Sequence, residues 1–234
     1  QLLAPEGVIS LEFPHLLELV AHGQFDTVYH EHFSYLSLTA VSRIFAAAGL
    51  RIFDVEPLPT HGGSLRVWGC RQEASHPQLA SVAAGLAQEE TAGLCTQEFY
   101  RNLQAQADHA ADKLLAFLIS CKSRGETVAA YGAAAKGTTL LNYARISPRL
   151  LPYVCDAAPF KQGRFLPGSH IEVRPVEALL DAPPQHLLIL PWNIKEGIVA
   201  SLAWMARDHG TQFWTVMPEP TKLAAPEETL ARQA

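Results

Sequence analysis

The densest chemistry in the chain lies between Phe25 and Ser37, FDTVYHEHFSYLS. Tyr29, His30, Glu31, His32, Ser34 and Tyr35 fall within seven positions, and each can donate, accept or move a proton. Loops that only connect elements draw on Gly, Pro, Asn, Asp and Ser, and a folding core would not choose Tyr-His-Glu-His. A neutral imidazole takes a proton near pH 7, and a neighbouring carboxylate can orient it or raise its pKa. The segment therefore points to proton transfer on a small molecule. In an extended stretch side chains i and i+2 share a face, which puts Tyr29 and Glu31 on one side and His30 and His32 on the other. A loop could converge three of them. His30 can equally be a hydrogen-bonded structural histidine, and Phe33 reads as core. A metal reading, with the two histidines and His61 as ligands, is disfavoured because no further ligand is placed nearby.

A second stretch, Ala130 to Asn142, AYGAAAKGTTLLN, reads as a strand, a small-residue turn and a helix start. Small residues let backbone N–H groups approach an anion, and the helix N-terminus adds partial positive charge. Lys136 sits where its ammonium could reach a phosphate. The spacing is neither GxGxxG nor GxxxxGK[ST], so a sharp turn without a ligand stays open. Asp156, ending the next strand, stands where an open α/β sheet places a ligand-contacting acid. Lys161, Gln162 and Arg164 follow in a Gly-rich loop, a small cationic cluster or a solvated loop. His61, Gly62, Gly63 and Ser64 form a turn whose glycines suit φ > 0; Arg66 beyond it could pair a carboxylate or a phosphate.

The elements that must position these residues alternate. Gly7 to Phe13 reads as a buried strand, Pro14 to Ala21 as a short helix, and Ser37 or Thr39 as the cap of a helix carrying Val41, Ile44, Phe45 and Ala48 at helical spacing. Leu50 to Glu56 and Ser64 to Cys70 read as an antiparallel pair around the His-Gly-Gly turn. Phe99, Leu103, Ala107, Ala110, Leu114 and Leu118 predict one long helix from about Thr96 to Ser123. From Glu126 onward strands (Thr127–Tyr131, Leu151–Cys155, His186–Leu190, Gln212–Val216) alternate with helices (Lys136–Ala144, Lys195–His209), which predicts a parallel sheet covered by helices. The expected division is 1–72, a helical linker 73–125, a Rossmann-like domain 126–218 and a loose tail 219–234.

At 48% apolar and 18% charged residues, the 234-residue chain can bury a core. A net charge of −5 without a basic tract argues against nucleic acid and anionic membranes. Cys70, Cys95, Cys121 and Cys155 are spaced for neither zinc nor a disulfide framework and read as reduced, mostly buried thiols of a cytoplasmic protein. The opening residues, QLLAPEGVISLEFP, read like the middle of a domain, so a preceding N-terminal half is expected.

YHEHFSYLSL, HGGSLRVW, YGAAAKGTTLLNY, CDAAPFKQGRFLPGSHI and LILPWNIKEGI, in this order, resemble the C-terminal portion of the S-adenosylmethionine-dependent sugar C-methyltransferases. The resemblance implies an α/β fold: the C-terminal part of a class I methyltransferase sheet, a linking helix, then the Rossmann-like domain. It implies a nucleotide-diphosphate keto-deoxysugar as substrate and S-adenosylmethionine as methyl donor. In the family the second histidine of the motif is the base, with the tyrosine and glutamate beside it; these become His32, Tyr29 and Glu31. For the nucleotide diphosphate the resemblance brings in Lys136 and Asn142, then Lys161 and Arg164; His61 and Ser64 join the substrate-binding candidates from the reading of their turn. No cysteine cluster for zinc and no early glycine-rich donor loop precede them here. A nucleotide- or nucleotide-sugar-binding module without chemistry is the competing reading.

Overall fold

A computed structural model describes residues 3–224. The chain forms two compact units, residues 3–25 with 30–104 and residues 26–29 with 105–224.

The first unit contains β1 (Val8–Pro14), α1 (Leu16–Ala21), α2 (Leu38–Ala47), β2 (Leu50–Leu58), β3 (Ser64–Arg71), α3 (Ala80–Thr91) and the single turn α4 (Gln97–Tyr100). The strands form an antiparallel sheet in the order β1-β3-β2. Its register sets Arg66 between Glu12 and Glu56. The guanidinium meets both carboxylates, at 2.9 and 3.1 Å, so Arg66 spends its charge inside the sheet. Leu38, Val41 and Phe45 of α2 pack with Ile52, Val55, Leu65, Val67 and Val82. Gly69 makes room for this: a Cβ there would lie 2.2 Å from the Phe45 ring. Ser37 caps α2, its Oγ accepting from Ala40 N–H at 3.0 Å, and Gly49 follows α2 with φ of 71°.

Two expectations fail here. Ile44 leaves the buried stripe of α2 and is 56% exposed. β1 is not a buried strand: Val8, Ile9 and Leu11 are exposed, and only Phe13 enters the core. Among the described residues β1 pairs with β3 alone, so its other edge and much of both faces are uncovered.

The second unit takes α5 (Leu103–Ser123) from Ala105 on, then β4 (Val128–Tyr131), α6 (Ala135–Tyr143), β5 (Tyr153–Cys155), β6 (Glu172–Arg174), α7 (Ala178–Asp181), β7 (His186–Ile189), α8 (Lys195–Ser201), α9 (Ala203–His209), β8 (Gln212–Thr215) and β9 (Thr221–Lys222). The sheet order is β6-β5-β4-β7-β8-β9, parallel except for β9. Central strands are buried on both faces and read as apolar runs, HLLI and VAAY. The long helix starts at Leu103 rather than Thr96, because the chain turns at Arg101 and Asn102; its stripe Ala107, Ala110, Leu114 and Leu118 is buried as expected. The helix expected over Lys195–His209 breaks at Leu202. Within the predicted tail, Thr221 and Lys222 pair with β8; residues 225–234 lie outside the described residues.

Candidate functional site

The second unit's sheet reverses direction at β4. From β4 the chain builds outward through β5 to β6, then returns to the other side for β7 and β8. The crevice at the carboxyl ends of β4 and β7 is the topological switch point, where open α/β sheets bind ligands. Two loops meet there. Gly132, with φ of 96°, lets the first loop pass under Pro191 of the second; a Cβ on Gly132 would lie 2.3 Å from the Pro191 ring. Lys136, in the first turn of α6, lies with its ammonium 4.4 Å from the centre of the Trp192 indole. A cation on an indole face gains about 0.5–2 kcal/mol, more as water is excluded.

Asp26 completes this cluster from the short segment 26–29. It sits in a 3-10 turn, Phe25–Thr27, and is 1% exposed. Trp192 Nε1–H donates to its Oδ2 at 2.7 Å. Its Oδ1 is buried without a hydrogen bond of normal geometry. Burial pushes the Asp26 carboxyl above its ordinary pKa, while Trp192 and the Lys136 charge pull it back. Burial also lowers Lys136, and the Asp26 charge opposes that. Neither Asp26 nor Trp192 was picked out by residue pattern. A lone acid in FDT and a tryptophan after a strand carry no signal until the fold brings them together.

Part of the small-residue turn is filled by the protein's own anion. Gly132 N–H donates to Cys155 O, and Ala133 N–H donates to Asp156 Oδ2 at 2.7 Å. Asp156 also accepts from Ala158 N–H and from Lys161 Nζ at 3.1 Å, and its carbonyl accepts from Gln162. Two members of the expected cationic cluster are thus tied to Asp156, while Arg164 is exposed. Asn142 lies at the far end of α6, about 9 Å along its axis from Lys136. Its Nδ2 donates to Pro167 O, and Gly168 packs against it, so it holds the 159–168 loop.

In the first unit the Tyr-His-Glu-His residues from His30 on lie in an irregular loop. His30, not His32, is the histidine near Glu31, at 3.8 Å, and that pair is exposed. His32 is half-buried. Phe33, expected in the core, is 93% exposed, since the loop turns it outward beside His32. Tyr29, half-buried, belongs to the second unit. The loop's far end is pinned where Leu16 N–H donates to Leu36 O. His61 is exposed, with φ of 57°, and Ser64 is buried with its hydroxyl donating to Thr60 O at 3.0 Å. Ser64 therefore closes the His-Gly-Gly turn, and of the two only His61 presents a side chain to solvent.

Two other features of the second unit compete for attention. Cys121, Glu126 and His186 bring three possible metal donors within 4.8 Å of one another. Trp214 Nε1–H donates to His186 Nδ1, so the ring proton sits on Nε2 and is donated to Glu126 at 3.0 Å. Arg124 meets both oxygens of Glu126. With its imidazole and carboxylate so engaged, the cluster reads as a brace. A cleft of about 470 Å³, lined by Lys122, Arg149 and Tyr153 among others, opens at the opposite, N-terminal edge of the strands. Its place in the sheet, away from the carboxyl ends, favours the Lys136 crevice as the ligand site.

The family model described as the C-methyltransferase C-terminal domain matches residues 59–218. The chain is also similar to the C-methyltransferase NovU of Streptomyces niveus, 34% identical over 229 residues. That alignment covers 98% of this chain and 54% of the relative, so the chain spans about half the relative's length. Lys136, Trp192 and the parallel strands β4 to β8 lie within the matched region, Asp26 precedes it, and the chain belongs to the C-methyltransferase family.

Proposed function

We propose that this chain is the acceptor-handling part of a C-methyltransferase acting on a nucleotide-linked keto-deoxysugar. The observation that carries the reading is Lys136, held at the switch point on the face of Trp192 and at the start of the nine-residue α6. An ammonium beside a helix N-terminus favours a phosphate, and the nucleoside diphosphate supplies one. Lys161 and Arg164 stand on the loop after β5 as further cations for it, and Asn142 holds that loop in place. His61, at the exposed turn of the first unit, is assigned to the acceptor with Ser64 as the residue that shapes the turn.

The chemistry assigned to the first unit is a proton transfer. His32 removes the proton on the carbon next to the sugar ketone, leaving an enolate whose carbon is nucleophilic. Glu31 precedes it in the motif, and Tyr29 is the motif's tyrosine. The family implies S-adenosylmethionine as the donor of an electrophilic methyl group. The strand–turn–helix at Gly132 is filled by Pro191 and Asp156, and the Gly62–Gly63 turn joins antiparallel strands with Glu18 packed where a Gly63 Cβ would point. The assignment to this chain is therefore the acceptor and the proton.

Exchange of the sugar's α-proton for deuterium, followed by NMR, tests this without the methyl donor. The intact, full-length enzyme should catalyse exchange, and His32→Ala in it should slow exchange roughly 10²- to 10⁴-fold, the worth of a general base, while His30→Ala costs much less. If His32→Ala exchanges as fast as the parent, the base lies elsewhere, and Tyr29 or His61 becomes the next candidate. Tight nucleoside diphosphate binding with no exchange at all would favour a binding module instead.

A further inference from the structure

We propose that Asp26 is the positioning residue for Lys136: its buried carboxylate fixes the Trp192 indole and balances the ammonium lying on that indole. The inference rests on reading the crevice as the diphosphate site. Four observations carry it. Asp26 is 1% exposed, in the short segment 26–29 that joins the second unit from far away in sequence. Its Oδ2 receives the Trp192 Nε1–H at 2.7 Å. The ammonium of Lys136 lies 4.4 Å from the centre of that indole. Its Oδ1 is buried without a hydrogen bond of normal geometry, an arrangement that costs stability and needs a compensating role.

A buried carboxylate with one unsatisfied oxygen is expensive unless a cation shares its surroundings. Lys136 is that cation: it is the charge that acts on Asp26, and Asp26 is the charge that acts on Lys136. Desolvation alone would favour a neutral amine, which holds no phosphate. The Asp26 charge favours the protonated amine, and the indole held by Asp26 fixes the ring face on which the ammonium lies. Trp192 begins the loop after β7, and Lys136 begins α6 after β4. Asp26 therefore sets the geometry of both lips of the switch-point crevice through one hydrogen bond.

The test is the pH dependence of binding by the whole chain, measured calorimetrically. The probe is whichever nucleoside diphosphate of adenine, guanine, uracil or thymine binds the parent most tightly. Lys136→Ala should weaken it about tenfold or more, the scale of a lost charge-assisted hydrogen bond. Asp26→Asn keeps an acceptor for the indole and removes the charge. It should move the alkaline loss of binding to lower pH, by about one unit if the charge is the main support. Lys136→Arg should abolish that loss, because a guanidinium does not titrate in the range. Thermal midpoints check folding, and Trp192→Phe, which keeps the ring and deletes the N–H, replaces Asp26→Asn if that variant does not fold. A lowered thermal midpoint with an unmoved alkaline limb overturns the inference and leaves the crevice reading standing. No binding by the parent, or no loss in Lys136→Ala, overturns both.

Discussion

Single residues in this chain divide by whether their partners lie near in sequence. Lys136 could be picked out from a strand, a small-residue turn and a helix start, all local signals. Asp26 and Trp192 could not, because 166 positions separate them and only the fold makes them neighbours. Phe33 misled for the opposite reason. An aromatic between a histidine and a serine looks like core by composition, yet a loop can turn it out. The Glu126 brace was likewise invisible, since His186 and Trp214 reach it from other strands. It makes a clear prediction. Arg124 beside it, then His186, hold the Glu126 carboxyl down at about 2, against 4.5 ordinarily, with burial opposing. A carboxyl lowered by folding gives up its proton more readily in the folded state. Its contribution is complete above about pH 4.5 and is lost as the pH falls toward about 2. Urea midpoints measured across that window should fall more steeply for the parent than for Glu126→Gln. Equal slopes would mean the brace is not ionic in solution.

At the scale of elements, strand and helix order in the second unit was legible because central parallel strands are short apolar runs between glycine-rich turns. The three-residue β6 was not, since Glu-Val-Arg shows no periodicity and is placed by pairing with β5 and by a bridge from Phe165. The role of α3 was also hidden: its pattern is weakly amphipathic, and the residue that matters is an acid. Glu89 of α3 is 1% exposed and accepts from His15 Nε2 at 2.7 Å and from the N–H groups of Leu38 and Thr39 at 2.6 and 2.8 Å. It thereby closes the N-terminus of α2, where unbonded N–H groups and the helix dipole favour an anion. Burial would raise its pKa, but His15, Thr39 and Leu38 outweigh that and hold it below the usual carboxylate range. Because α2 follows the Tyr-His-Glu-His loop directly, the same acid fixes the loop's exit. Glu89→Ala leaves three buried donors without an acceptor and should destabilise the first unit by about 2–4 kcal/mol. Urea denaturation followed through Trp68, the unit's own tryptophan, measures it; a change under about 0.5 kcal/mol would show that water replaces the carboxylate.

Taken whole, the chain under the proposed function carries acceptor chemistry apart from donor chemistry. The second unit has a six-stranded sheet, parallel from β4 to β8, whose central strands are buried. The first has three antiparallel strands, the outermost of which, β1, carries Val8, Ile9 and Leu11 exposed and pairs on one edge only among the described residues. An apolar strand with an open edge is the pattern of a strand that accepts a further one, since natural edge strands are shielded by charge, proline or brevity. S-adenosylmethionine binding belongs to that wider sheet in this reading, because the Gly132 and Gly62–Gly63 turns are packed by the protein's own side chains. The chain alone should therefore bind S-adenosylmethionine weakly or not at all, while still binding a nucleoside diphosphate in the second unit. Titration calorimetry with each ligand separates the two. Micromolar binding of S-adenosylmethionine to the 234-residue chain would sink the division, because it would require a donor site made from residues whose turns are already occupied.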